Sequence, residues 1–161
     1  MPNIMRFGGG GSSARKTLSL YDKGTFNIIS SLTNNASSYG ATITLNTSYI
    51  ELTTNAYRRD QHDYIVSNVP IDVSKYSFLK LVMTYFDKEA EGSYLEVGFA
   101  STKDGKTFVS STKAGLKADV YLDISSLKGE YYFMIHIFNY SGESDGVFTT
   151  KIRFDGIVLL T

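Results

Sequence analysis

From Thr17 to the C-terminus the chain is a succession of short apolar or alternating runs broken by Gly, Asn, Asp and Ser, and almost no stretch holds a 3.6-residue period. A period of two sends successive side chains to opposite faces of a strand, so this pattern demands sheets and leaves little room for helix. Strands are expected near residues 17–22, 41–46, 49–54, 62–67, 78–87, 94–101, 107–111, 120–124, 131–139 and 148–160. Between them lie turn residues. Asn46-Thr47-Ser48 and Lys103-Asp104-Gly105-Lys106 read as hairpin connections, the second because Asp-Gly readily takes the positive φ of a tight turn. About 8–10 short strands with turn chemistry between them describe an all-β chain, a sandwich or a barrel.

With 161 residues, one core is expected, over residues 17–161. Residues 1–16, with Gly8–Gly11 followed by Ser12 and Ser13, read as a flexible Gly/Ser-rich arm. The opening Met1-Pro2-Asn3-Ile4-Met5-Arg6-Phe7 lacks the apolar stretch of a signal peptide, so no export signal is expected.

Composition narrows the chemistry. Lys+Arg and Asp+Glu are both 16, so no positive field favours nucleic acid or an anionic membrane, and neither is expected as a partner. No apolar run approaches the ~18 residues of a membrane span. The absence of cysteine excludes disulfides, thiolate metal sites and cysteine nucleophiles. No Gly-x-Ser-x-Gly elbow, His-Glu-x-x-His pair or phosphate-binding glycine loop is present. Glu96, Asp119 and Asp123 are the carboxylates whose placement on one face would suit glycoside hydrolysis, but no enzyme is expected from the motifs.

What stands out is 12 Tyr and 10 Phe against no Trp and 2 His. Alternation divides them. In 78–86, Leu79, Leu81, Met83 and Tyr85 share the face assigned to the core, opposite Phe78, Lys80, Val82, Thr84 and Phe86. In 94–101, Leu95, Val97 and Phe99 oppose Tyr94, Glu96, Gly98 and Ala100; in 131–140, Phe133, Ile135 and Ile137 oppose Tyr132, Met134, His136, Phe138 and Tyr140. These second faces, rich in tyrosine, suit a ligand platform, a subunit contact or a loop-covered surface. Tyr94, Glu96, Tyr121, Tyr132 and His136 are the sheet-face candidates for ligand binding. A second candidate set comes from the densest polar segment, 57–64, where Tyr57, Arg58, Arg59 and Tyr64 put guanidinium and phenol groups side by side, as recognition of a sugar or carboxylate requires. His62 and His136 lie 74 residues apart, and His136 alone reads as a half-buried strand histidine. No cofactor is required; Asp22 and Asp155, on the first and last strands, are candidate oxygen ligands for a structural calcium, with an Asp155-Gly156 bulge as the alternative.

Three segments carry a family resemblance. Val69-Pro70-Ile71-Asp72-Val73-Ser74-Lys75-Tyr76-Ser77-Phe78-Leu79-Lys80-Leu81 resembles the turn and following strand of jelly-roll carbohydrate-binding modules and galactose-binding-like domains. Asp123-Ile124-Ser125-Ser126-Leu127-Lys128-Gly129-Glu130-Tyr131-Tyr132-Phe133 is similar to their turn into a long central strand, and Phe154-Asp155-Gly156-Ile157-Val158-Leu159 to their last strand. The resemblance implies an antiparallel β-sandwich of jelly-roll type that binds glycan or cell-surface polysaccharide without catalysis, and a calcium site carried over onto Asp155 and Asp22. Without tryptophan, any platform for pyranose rings must be built of tyrosine. Leu20-Tyr21-Asp22-Lys23-Gly24 after the Gly-rich arm is similar to the opening of small phage and prophage tail or baseplate proteins, which implies a virion or cell-surface setting. The alternative expectation is a structural assembly protein that oligomerises through its arm and tyrosine-rich face.

Overall fold

A computed structural model of the chain describes residues 16–27, 29, 31–34, 41–57, 60–115, 117–142 and 146–161, with residue 57 described in its backbone alone. Within these residues there is no helix, and thirteen strands follow in order. They are β1 (Thr17–Asp22), β2 (Thr25–Phe26), β3 (Leu32–Asn34), β4 (Thr42–Leu45), β5 (Ile50–Tyr57), β6 (Gln61–Ser67), β7 (Ile71–Asp72), β8 (Phe78–Lys88), β9 (Tyr94–Ala100), β10 (Ser110–Ala114), β11 (Val120–Asp123), β12 (Glu130–Asn139) and β13 (Val147–Leu160).

They form two antiparallel sheets, so of the sandwich and the barrel that the strand spacing allows, the chain is a sandwich. The seven-stranded sheet runs β11-β8-β13-β1-β2, with β5 also on β13 and β4 on β5. Its spine is β13. One edge of β13 pairs with β8, while the other is shared by β5, against Val147–Phe154, and β1, against Gly156–Leu160. The six-stranded sheet runs β10-β9-β12-β6-β3, with the short β7 on the start of β12. Inward residues of both sheets meet in one core: Ile50, Leu52, Leu79, Leu81, Ile152, Phe154 and Ile157 from the first, Ile65, Leu95, Val97, Phe99, Phe133, Ile135 and Ile137 from the second. Phe99 and Phe133 lie in this core as alternation assigned them, beside Phe154, and the first two meet edge to face at 6.3 Å.

The differences from the sequence reading have local causes. All ten expected strands are present, the seventh displaced from 107–111 to Ser110–Ala114. The three added strands, β2, β3 and β7, hold two or three residues, too few to show alternation. Tyr85 is not a core residue. Phe154 pairs with Met83 and Arg153 with Tyr85, so Thr84 is an extra residue on β8, and the count of two shifts by one. Phe86 therefore packs on the core and Tyr85 faces out.

A second bulge follows on β13. Gly156 pairs with Val82, which leaves Asp155 unmatched, the bulge alternative at this position. The turn at Asn46 closes a hairpin, its N–H donating to the Tyr49 carbonyl at 2.9 Å. Gly105 donates to the Thr102 carbonyl at 3.2 Å, yet its φ is not positive. The tight turn is instead Lys23-Gly24, with φ of 40° and 91° between the paired Asp22 and Thr25, as a two-residue type I′ connection requires. The arm expected over residues 1–16 lies outside the described residues, apart from Lys16.

Candidate functional site

The outer face of the six-stranded sheet carries the rings that alternation sends outward on β9 and β12, and the ladder shows how they meet. Across β6, β12 and β9, His62, Phe138 and Tyr94 form one row and Tyr64, His136 and Glu96 the next, which Lys113 of β10 extends. A further row holds Val66, Met134 and Gly98, with Ser111 on β10. Gly98 is required there: a Cβ would stand 2.0 Å from the Ser110 carbonyl oxygen. That close approach sets Ser111 to donate its hydroxyl to Glu96 at 2.6 Å.

Two halves result. In one, Val66, Ala100 and Met134 are buried beneath Tyr132, Tyr64 and Phe108, an apolar patch closed by side chains of the sheet and the β9–β10 connection. The other half is a cluster of rings around His136, which is only 5% exposed. Tyr64 stacks on His136 with centroids 4.5 Å apart and planes within 7°, and Tyr94 meets it edge-on at 5.9 Å. Phe138 lies 5.0 Å from Tyr94 and 4.9 Å from the exposed His62. Tyr140, itself exposed, continues the row beside Phe138 and lies so close to Gly92 that a Cβ there would approach its ring to 3.0 Å. Lys113 reaches over Tyr94 at 4.3 Å and Lys106 over Tyr64 at 5.8 Å.

Polar atoms thread the cluster. Glu96 Oε2 lies 3.4 Å from His136 Nδ1, and His136 Nε2 lies 3.1 Å from His62 Nδ1. Burial, outweighing the neighbouring Glu96 carboxylate, holds the His136 imidazole below its ordinary pKa, so the ring is neutral at pH 7. Burial likewise pushes the Tyr64 phenol up, aided by Tyr94 and Glu96.

The face is oriented from beneath. Asp63, between His62 and Tyr64 on β6, is fully buried and accepts hydrogen bonds from the Ala41 N–H at 2.8 Å, the Gln61 amide at 3.2 Å and the Thr54 hydroxyl. Asn139, at the end of β12, is equally buried. Its amide donates to the Thr54 and Phe148 carbonyls, and its oxygen accepts from the hydroxyls of Ser93 and Thr150. A one-residue slip of β6 or β12 would expose these satisfied groups and bury the rings, so the polar end of the core fixes which residues face out.

The sequence candidates divide accordingly. Tyr64, Tyr94, Glu96, Tyr132 and His136 share this face. Tyr121 does not: it is 54% exposed on β11 of the opposite sheet, beside Lys80, which pairs with Asp119 at 2.8 Å. Tyr121 was grouped with the others because alternation assigns a face within a strand but not the sheet to which the strand belongs. Arg58, Arg59 and the Tyr57 side chain lie outside the described residues. Glu96 is likewise on the opposite sheet from Asp119 and Asp123, so the three carboxylates do not share a face.

Asp22 and Asp155 are neighbours, since Asp22 pairs with Gly156 and the Lys23 N–H donates to the Asp155 carbonyl at 2.8 Å. Among the described residues no group of three His, Asp or Glu is placed to hold a metal. Residues that single-strand reading missed are His62, Phe138, Ser111 and Lys113. The signal for the first two was their alternation with Tyr64 and His136; the contact across 74 residues needs the pairing of β6 with β12.

No protein-family profile matches the sequence, and no curated protein is significantly similar to it. Solved structures are similar in fold. A mutant of the family 29 carbohydrate-binding module CBM29-2, complexed with cellulohexaose, aligns with a TM-score of 0.51 and 12% identity over 91% of this chain and 92% of that one. The mannan-recognising module TmCBM27 aligns at 0.50 and 9% identity over 91% and 98%. A low-affinity xylan-binding module, CBM86 of Roseburia intestinalis, aligns at 0.48 and 9% identity over 92% and 96%. The structural neighbours are thus carbohydrate-binding modules with a jelly-roll-like β-sandwich, and this chain shares their fold.

Proposed function

We propose that the chain is a non-catalytic glycan-binding module whose ligand lies across the open half of the six-stranded sheet's outer face, on Tyr94, Phe138, His62 and Tyr64. The observation that carries this reading is the ring cluster itself. A solvent-facing antiparallel sheet is ordinarily polar, and a contiguous aromatic surface edged with hydrogen-bonding groups marks a contact surface. Aromatic faces suit the C–H faces of sugar rings, while Glu96, His62 and Lys113 offer acceptors and a donor to hydroxyls. Zero net charge and the mixed signs at the site favour a neutral polysaccharide. The shared fold with carbohydrate-binding modules supports the reading.

Affinity electrophoresis through gels holding soluble glucan, xylan or mannan tests it. Retardation of the wild type, lost in a Tyr94→Ala/Phe138→Ala variant, is expected; free migration of the wild type through all of these and through bacterial cell-wall polysaccharide contradicts it. Light scattering on the same sample separates binding from assembly. A stable trimer or hexamer that covers this face favours the virion or cell-surface assembly reading instead.

A further inference from the structure

The contacts at His136 determine more than its own placement. The His62 and His136 ring planes agree within 5°, and their 5.3 Å centroid separation is close to the 3.1 Å N···N distance plus the two ring radii. The two imidazoles therefore lie edge to edge in one plane, with a nearly linear N–H···N bond between them. Tyr64, stacked on His136, holds that plane from one side.

Direction follows from valence. Glu96 accepts the Ser111 hydroxyl on one oxygen and faces His136 Nδ1 with the other. An ionised carboxylate can only accept, so His136 Nδ1 carries the proton. A neutral imidazole then has a bare Nε2, which must accept from His62 Nδ1–H. His62 in turn is left with a bare Nε2 on the side of its ring away from His136. The residue is exposed, and among the described residues nothing bonds to that nitrogen.

We propose that Glu96, acting through His136, fixes His62 as a hydrogen-bond acceptor for a sugar hydroxyl. This rests on the glycan-binding reading above. The ionisable groups facing His136 are His62 and Tyr64 from β6, Tyr94 and Glu96 from β9 and Lys113 from β10. The depressed pKa of His136 keeps the acceptor state in force at neutral pH. His62 is thus a specificity residue, and Glu96 and His136 are positioning residues behind it.

The test is long-range 1H–15N spectroscopy of the imidazoles in the full-length labelled protein, free and titrated with cellohexaose, xylohexaose and mannohexaose. At pH 7 both rings are expected as Nδ1–H tautomers, with a scalar coupling between His62 Nδ1 and His136 Nε2, and the His62 Nε2 resonance moves with the oligosaccharide that binds. Glu96→Gln is expected to lose the fixed tautomer and weaken binding about three- to tenfold, with Glu96→Asp restoring part of both. His62 as Nε2–H at pH 7, or a bound sugar that shifts Tyr94 and Phe138 but not His62, overturns the proposal and leaves the glycan reading standing. If none of the oligosaccharides shifts any ring on this face, both fall.

Discussion

The two outer faces of the sandwich use tyrosine in opposite ways. On the seven-stranded sheet, Arg153 lies between Tyr49 and Tyr85, at 5.1 and 4.9 Å from their rings, and its Nε donates to Glu51 at 2.6 Å. Tyr85 donates its hydroxyl to Asp87, and Lys80 bridges Asp119 beside Tyr121. These are partly exposed groups paired along and between neighbouring strands, the ordinary finish of a solvated sheet. On the six-stranded sheet the rings instead gather around a buried imidazole, an arrangement that costs desolvation and that a merely solvated face does not need. Tyrosine content alone does not mark a site; what lies beneath the rings does.

Substitutions can break this comparison, and the largest contrast is expected in binding. Removing both Tyr94 and Phe138 should weaken retention on the bound polysaccharide more than tenfold, whereas Tyr85→Ala or Tyr121→Ala should change it less than twofold. Affinity electrophoresis reads both. Equal losses on the two faces would erase the distinction.

Stability should divide in the same direction. His136→Ala removes a buried ring and leaves Glu96 Oε2 without its imidazole partner, so urea denaturation should show a loss of about 2–4 kcal/mol. Glu51→Gln, which removes the charge of the pair with Arg153 but keeps an acceptor for its Nε, should lose clearly less. The pH dependence sharpens this further. Because the folded state holds His136 below the pKa near 6.5 of a free imidazole, the unfolded chain binds the extra proton first. The stability tied to this ring is full above about pH 6.5 and is lost as pH falls through the folded value. Melting curves from pH 8 to 5 should show that slope in the wild type and a flatter one in His136→Gln.

The smallest effect is expected at the bulge. Calcium or EDTA should leave the melting temperature of wild type and Asp155→Asn alike. A calcium-dependent rise abolished by that substitution would make Asp22 and Asp155 a metal site rather than a turn and a bulge.

Much of this architecture was legible because it depends on alternation alone. Alternation sends Phe99 and Phe133 inward and Tyr94, Tyr132 and His136 to the outer face, where the structure has them, although the rings around His136 bury it. Tyr85 was misassigned because a single extra residue, Thr84, inverts every face beyond it, and nothing in Met83-Thr84-Tyr85 announces a bulge. The site was legible only in fragments. Tyr64, Tyr94 and His136 could be nominated singly, but the contact between His62 and His136 and the misplacement of Tyr121 are consequences of which strands pair. The buried hydrogen bonds of Asp63 and Asn139, which fix the outward faces, join β6 to β5 and β12 to β5 and β13.

The central claim is that glycan is bound on one outer face and not the other. Backbone amide shift mapping of the labelled protein against cellohexaose, xylohexaose and mannohexaose tests this most directly. The expected result is a set of shifts centred on His62, Tyr64, Tyr94, His136 and Phe138 for at least one oligosaccharide, with Tyr49, Tyr85, Tyr121 and Arg153 unmoved. Shifts centred on those four residues, or no shifts with any of the three, would contradict the account.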